Sequence, residues 1–275
     1  ETANVVRIAA MNRRCFFLLG GKLKVQDICK RFCKYGMGDI HVYIGEMLGY
    51  PQERILNGSA RDFTEIDIKS LSVMMTENSY PETHIRSGIL DEEFIRGKVP
   101  MTKSEIRSLV ISKLGIAPSD IVWDIGCGTG SVSVEMALQC YKGTVYSIDL
   151  NPEAIELTKQ NALKFRCDNI DISLGSAPEI TEHFLTPDKI FIGGSKGNLQ
   201  EIISTAIRRN PKVIILITAV SLETIYEAMD GLSEHDFNVA ITQASITRTK
   251  QIACHTMLSA QNPVFIIRGD PKCKD

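Results

Sequence analysis

Past residue 120, short apolar runs alternate with segments whose apolar residues recur every three or four positions. The runs at 121–125, 144–149, 170–174, 189–193 and 212–218 predict buried strands. The segments at 131–141, 153–165, 199–209 and 222–234 predict helices, with a short one near 179. Strand and helix in alternation mean a parallel, doubly wound sheet with helices on both faces. Two last stretches, 236–247 and 263–268, follow without a helix between them and predict an antiparallel hairpin closing the sheet edge. The pattern is thinner before residue 80. It predicts a strand at 15–19, a helix at 25–35 with Val25, Ile28, Cys29 and Phe32 on one face, and strands at 40–44 and 71–75. Gly36 stops that helix, and Gly49-Tyr50-Pro51 is a turn. Residues 1–79 are too few for a domain with its own sheet and ligand cleft, and predict part of one. Residues 80–100, polar and irregular with Pro81, Gly88, Gly97 and Pro100, read as a linker to a domain over 101–275. Thr102-Lys103-Ser104-Glu105 then reads as a capping box, with Thr102 capping a helix and Glu105 reaching back.

The strand at 121–125 runs into Gly126-Cys127-Gly128-Thr129-Gly130. This G-x-G-x-G spacing differs from the G-x-G-x-x-G that sets a dinucleotide pyrophosphate on a helix end. Asp124 precedes it, an acid suited to a cationic ammonium such as that of S-adenosylmethionine. The next strand ends in Asp149, where an α/β nucleotide site places the carboxylate that grips ribose hydroxyls. Loop and two acids together point to a cofactor built on adenosine and methionine.

Composition narrows the partners. A formal net charge of −2 leaves no electrostatic footprint for nucleic acid. The apolar run at 213–220 is too short to span a bilayer, and the one at 15–19 is cut off by Gly20, Gly21 and Lys22 before it can serve as a secretion signal. The chain opens at Glu1 in mid-pattern, which suggests that its natural N-terminus lies upstream. Eight cysteines, at 15, 29, 33, 127, 140, 167, 254 and 273, form no C-x-x-C, and no histidine stands at zinc-ligand spacing from them. No metal site is expected, and free thiols in a reducing cytoplasm are. Cys29 and Cys33 share a helix face and read as packing residues.

Several motifs carry a resemblance. Residues 36–51, Gly-Met-Gly-Asp-Ile-His-Val-Tyr-Ile-Gly-Glu-Met-Leu-Gly-Tyr-Pro, with Glu53-Arg54-Ile55, resemble the last portion of the tetrapyrrole methylases, specifically the carbon-5 methylases of corrin biosynthesis. That family binds S-adenosylmethionine between two subdomains, and the first is not in this chain. Phe94 to Arg107, Asp124 to Gly130, Gly175-Ser-Ala-Pro-Glu179, Phe191-Ile-Gly-Gly-Ser195 and Asn262-Pro-Val264 occur in one order over residues 84–268. They resemble the carbon-15 methylases that also decarboxylate the ring C acetate of a corrin precursor on the way to cobalamin. The two halves in this order resemble the fused precorrin-6Y methyltransferases (decarboxylating).

The resemblance implies a class I S-adenosylmethionine methyltransferase fold, a tetrapyrrole substrate and assembly into homo-oligomers, commonly tetramers. It puts Thr102 over the cofactor, residues 126–130 against its methionine part, Asp149 on the ribose, and Ser176 and Ala177 at the adenine. Family members commonly have an acid where Ser176 stands and often a glycine where Lys196 stands. Beside the Gly193-Gly194-Ser195 turn, Lys196 reads either as a partner for a substrate carboxylate or as a solvated lysine. A substrate with many carboxylates favours arginine forks. Arg107, on the capped helix, and Arg248 and Lys250, alternating on the closing hairpin, are candidates for that role, with surface charge as the other reading. His255 is a candidate proton donor or a structural histidine, and the catalytic role stays open.

Two other readings compete. One is a class I methyltransferase of nucleic acid or protein. Against nucleic acid, the place after the fourth strand where adenine N-methylases carry Asn/Asp-Pro-Pro-aromatic holds Gly193-Gly194-Ser195. The other is a non-catalytic module that binds S-adenosylmethionine or docks to partner enzymes. An NAD oxidoreductase is disfavoured by the glycine spacing.

Overall fold

The computed structural model describes residues 4–19, 23–68 and 71–272. The chain divides into two compact units, Glu1–Arg86 with Gln160–Asn169, and Ser87–Lys159 with Ile170–Asp275. Gly20, Gly21, Lys22 and Cys273 lie outside the described residues.

The first unit contains α1 (Val5–Met11), β1 (Arg14–Leu19), α2 (Val25–Lys34), β2 (His41–Glu46), β3 (Arg54–Ser59) and β4 (Ser72–Glu77). The strands form a sheet in the order β1-β4-β2-β3, antiparallel throughout. Alternate residues face inward, so Val42, Ile44 and Met74 pack with Ile28, Cys29 and Phe32 of α2 in one core. The expectation of a fragment without its own sheet is therefore corrected: these residues close a four-stranded sheet and bury a core. Two elements escaped the sequence pattern. The strand β3, Arg-Ile-Leu-Asn-Gly-Ser, holds poor strand formers and is extended because β2 pairs with it. The helix α1 has no side-chain cap from its own N-cap residue, Asn4. Asp168 does that work: its carboxylate accepts the backbone N–H groups of Val6 and Arg7 at 3.0 and 3.1 Å.

The second unit opens with a 3-10 turn at Asp91–Glu93 and continues through α3 (Ser104–Leu114), β5 (Ile121–Ile125), α4 (Ser131–Gln139), β6 (Thr144–Asp149), α5 (Pro152–Lys164) and β7 (Ile170–Leu174). After a 3-10 turn at Glu179–His183 come β8 (Lys189–Ile192), α6 (Leu199–Arg209), β9 (Ile214–Ala219) and α7 (Leu222–Glu234). The chain ends with β10 (Phe237–Ala244), β11 (Thr247–Ile252), β12 (His255–Ala260) and β13 (Val264–Pro271). Seven strands lie in the order β10-β13-β9-β8-β5-β6-β7. The five from β9 to β7 are parallel, and β13 runs antiparallel between β9 and β10. This is the arrangement expected of a class I methyltransferase. Trp123, Ile190, Ile215 and Ile217 from the strands pack against Leu199, Ile203 and Leu232 from α6 and α7.

Three details differ from the sequence reading. The capping box is not formed: α3 starts at Ser104 behind Lys103, and no side chain caps it. Arg248 draws the Glu105 carboxylate away, with Nε 3.0 Å from Oε1, because a guanidinium fork is a stronger partner than a helix-end N–H. Residues 87–100 are built into the unit instead of linking: Ile89 and Phe94 are buried, and the Gly88 and Ile89 N–H groups donate to Glu135 at 2.9 and 3.1 Å. The predicted strand at 236–247 ends at Ala244. Residues 247–260 form a separate two-stranded hairpin, β11–β12, and β13 enters the sheet inside β10. Arg248 and Lys250 thus sit on that extra hairpin and not on the closing pair.

Candidate active site

A cavity of about 410 Å³ opens at the carboxyl ends of β5, β6 and β8, where open α/β sheets bind their ligands. The glycine loop after β5 forms its floor. Gly126 and Gly128 have φ of +77° and +57°, a region that costs a side chain but not glycine. Space is as restrictive as torsion. A Cβ on Gly126 would stand 2.7 Å from the Gly194 carbonyl oxygen, and one on Gly128 would stand 2.8 Å from that of Pro100. Cys127 lies between them on the cavity wall. Burial pushes its thiol pKa up, so it is a neutral thiol and no nucleophile.

Asp149 reaches the cavity from the end of β6. One carboxylate oxygen accepts the Gly128 N–H and the other the Asn151 N–H, both at 2.9 Å. The acid therefore ties the glycine loop to the start of α5. Ser176 and Ala177 line the opposite part of the cavity. Asn198 pins them by donating from Nδ2 to the Ala177 carbonyl at 3.0 Å and to Ser176 Oγ at 3.3 Å. Thr102, Val99 and Pro100 also line the cavity. Gly194, Ser195 and Lys196 form the remaining rim, with Lys196 exposed and its backbone at φ +53°.

Other expected site residues lie elsewhere. Asp124 does not line the cavity. It is fully buried beneath the loop, where Ser133 Oγ donates to its Oδ2, while Oδ1 has no partner among the described residues. Burial raises its pKa from 3.8 to about 7, against the lowering effect of Ser133. Such a carboxyl is a poor counter-ion for an ammonium. Thr129 and Gly130 turn away into the start of α4. Arg107 is fully buried: Nε lies 2.6 Å from Glu135 Oε1, and Nη1 lies 2.6 Å from the Thr102 carbonyl and 3.4 Å from Asp91 Oδ1. Its expected contact with substrate is corrected, since every part of the guanidinium is committed inside the protein. Arg248 is paired with Glu105 and Asp91, and neither it, Lys250 nor His255 lines the cavity.

The sequence reading missed the apolar and backbone contributors Val99, Pro100, Ile148, Leu150, Asn151 and Ile202. Of these, Val99 and Pro100 lie within the Phe94–Arg107 motif, and Leu150 and Asn151 follow the acid that ends β6, so these four had a sequence signal. Among the described residues no group of three or more His, Cys, Asp or Glu is placed to hold a metal, and no helix is long and apolar enough to cross a membrane.

Known proteins resemble this chain over the second unit. A family model described as a precorrin methyltransferase domain matches residues 93–269. A protein of Pyrobaculum calidifontis named "probable cobalt-precorrin-6B C(15)-methyltransferase (decarboxylating)" is 42% identical over 183 residues, which are 66% of this chain and 94% of that protein. Among solved structures, a precorrin-6y C5,15-methyltransferase from Geobacter metallireducens superposes with a TM-score of 0.64 at 34% identity, over 67% of this chain and 98% of that one. A precorrin 8w decarboxylase from Methanobacterium thermoautotrophicum gives 0.62 at 38% identity, over 66% and 98%.

Proposed function

The chain belongs to the precorrin methyltransferase family, and from that premise we propose that it methylates cobalt-precorrin-6B at carbon 15 and decarboxylates the ring C acetate, whose carboxylate leaves as carbon dioxide while a proton completes the remaining methyl group, in cobalamin biosynthesis. S-adenosylmethionine is the methyl donor. The observation that carries this reading is the cavity over β5, β6 and β8, in a unit that spans nearly the whole length of the carbon-15 methyltransferases it matches.

The residues present fit the cofactor. Gly126 and Gly128 bring bare backbone to the floor, where a methionine tail needs close approach. Asp149 offers carboxylate lone pairs for the ribose hydroxyls, and Ser176 and Ala177, pinned by Asn198, bound the adenine. Thr102 stands over it, and the Gly194-Ser195-Lys196 rim faces the substrate side, with the Lys196 ammonium meeting a substrate carboxylate. Bound there, S-adenosylmethionine supplies an electrophilic sulfonium methyl.

The titratable side chains on the cavity wall are Cys127, Asp149 and Lys196. In this reading the remaining Asp149 lone pairs go to the ribose, and the Cys127 thiol is neutral, so neither serves as a base. The protein's contribution is alignment, worth on the order of 7–11 kcal/mol at best. An electron-rich bridging carbon of the substrate attacks in line, and the conjugated macrocycle accepts the electrons left when carbon dioxide departs.

For the first unit we infer descent from the carbon-5 methylase portion of a fused enzyme, on the strength of the 36–51 motif, with no methylation of its own. The hairpin β11–β12 exposes Ile252, Met257 and Leu258, which favours a homo-oligomer, a tetramer in our reading; light scattering tests it. The function itself is tested by product mass after incubation with S-adenosylmethionine and precorrin-6B, with and without cobalt. One methyl gained and one carbon dioxide lost on the cobalt substrate is expected. Two methyls gained would assign activity to the first unit, and no change would refute the proposal.

A further inference from the structure

Beside the cavity, and lining none of it, two guanidiniums and three carboxylates form one connected group. Asp91, 3% exposed, shares its carboxylate between two arginines: Oδ1 lies 3.4 Å from Arg107 Nη1 and Oδ2 lies 3.2 Å from Arg248 Nη2. Arg107 also donates to Glu135, to the Ile89 carbonyl and, at 2.6 Å, to the Thr102 carbonyl. Glu135 in turn holds the Gly88 and Ile89 N–H groups. The backbone from 88 to 102, which lines the cavity at Val99, Pro100 and Thr102, is thus held at both ends by Arg107 and its partners. Arg248 joins this group from β11, a strand outside the main sheet, and is also forked onto Glu105 of α3.

The balance at Arg107 depends on Arg248. One nitrogen of Arg107 is divided between the Thr102 carbonyl, held closely, and the Asp91 carboxylate, held at arm's length. Asp91 stays at that distance while Arg248 neutralises it from the other side. Without Arg248, the buried Asp91 carboxylate would be left with Arg107 as its one cation, at 3.4 Å. It would draw the Arg107 fork toward itself and away from Thr102. We propose that Arg248 is a positioning residue: its pairing with Asp91 sets, through Arg107, the backbone of Thr102 against the cofactor cavity and so couples the β11–β12 hairpin to that cavity. This rests on reading the cavity as the S-adenosylmethionine site.

The test is S-adenosylmethionine affinity by calorimetry, with KM for cofactor and for corrin substrate, kcat and Tm, in the full chain and in R248A, R248K and E105Q. R248A should raise the cofactor Kd and KM about tenfold, within the usual range of coupling between sites, with kcat changed less than twofold. R248K keeps the charge without the fork and should recover part of the loss. E105Q loosens the hairpin but spares Asp91, and should move the cofactor KM less than R248A does. A cofactor KM unchanged in R248A, or in R248K should R248A fail to fold, would overturn the proposal, even with a lowered Tm. So would a rise confined to the corrin KM, which would mean that Arg248 touches substrate. Failure of the wild-type chain itself to bind S-adenosylmethionine would sink the site reading, and this proposal with it.

Discussion

Gly126 and Gly194 meet backbone to backbone: a Cβ on Gly126 would lie 2.7 Å from the Gly194 carbonyl oxygen and 2.8 Å from its nitrogen. The contact is drawn in by the Gly193 N–H, which donates to the Ile125 carbonyl at 2.9 Å. The glycine loop after β5 and the 193–194 turn after β8 are therefore packed directly against each other. Gly126→Ala should push them apart and strain φ as well, weakening S-adenosylmethionine binding by about a hundredfold or more. Calorimetry reads it, and an alanine variant with wild-type affinity would show that the loop does not contact the cofactor.

Asp149→Ala should weaken cofactor binding more than it lowers Tm. The change removes the proposed ribose acceptor and also frees the Gly128 N–H. Adenosine and S-adenosylhomocysteine should lose affinity by similar factors, because both carry the ribose. Unchanged affinity would remove Asp149 from the site.

Asp124 makes stability fall with rising pH. Its folded pKa, about 7, lies above the 3.8 of an unperturbed aspartate, so the folded state holds the proton more tightly. The stability this contributes is complete below the unfolded value and is lost as pH rises through about 7. Asp124→Asn cannot ionise and keeps an acceptor for Ser133. It should match the wild type near pH 4 and exceed its Tm by several degrees at pH 8. A wild-type Tm no more sensitive to pH over this range than that of the variant would contradict the buried, protonated assignment.

Arg107→Met should destabilise the protein by about 3–5 kcal/mol, because it leaves the buried Glu135 carboxylate without its cation and Asp91 with Arg248 alone. Arg107→Lys should recover little, since one ammonium cannot serve Glu135, Asp91 and two carbonyls at once. Denaturant unfolding measures both. Full stability with a selective loss of corrin affinity would restore Arg107 to the substrate site.

A chain beginning at Ser87 should retain carbon-15 methylation. The family match covers 93–269, and the cavity walls are drawn entirely from Val99 to Ile202. The assay is methyl transfer from labelled S-adenosylmethionine; an inactive fragment with a cooperative melt would show that the first unit contributes to the reaction.

The strand-loop-helix order, the glycine loop and the acid ending β6 were legible in the chain because each depends on neighbours a few residues away. Apolar period, turn chemistry and the offset of Asp149 from the loop are local quantities, and they placed the parallel sheet and the floor of the site. Tertiary structure decided the rest. Asp124 reads as a ligand for an ammonium until the packing of α4 over the loop buries it. Arg107 reads as a surface fork until Glu135, Asp91 and two carbonyls close around it. Arg248 and Lys250 read as part of the closing hairpin until β11 pairs with β12 outside the main sheet, because alternation alone does not say which partner a strand will take. Asp168 caps a helix about 160 residues away along the chain. In each case the outcome turns on what fills the space around a polar group. That decides whether its charge stays in water, is paired or is neutralised, and it depends on residues brought near by folding rather than by sequence.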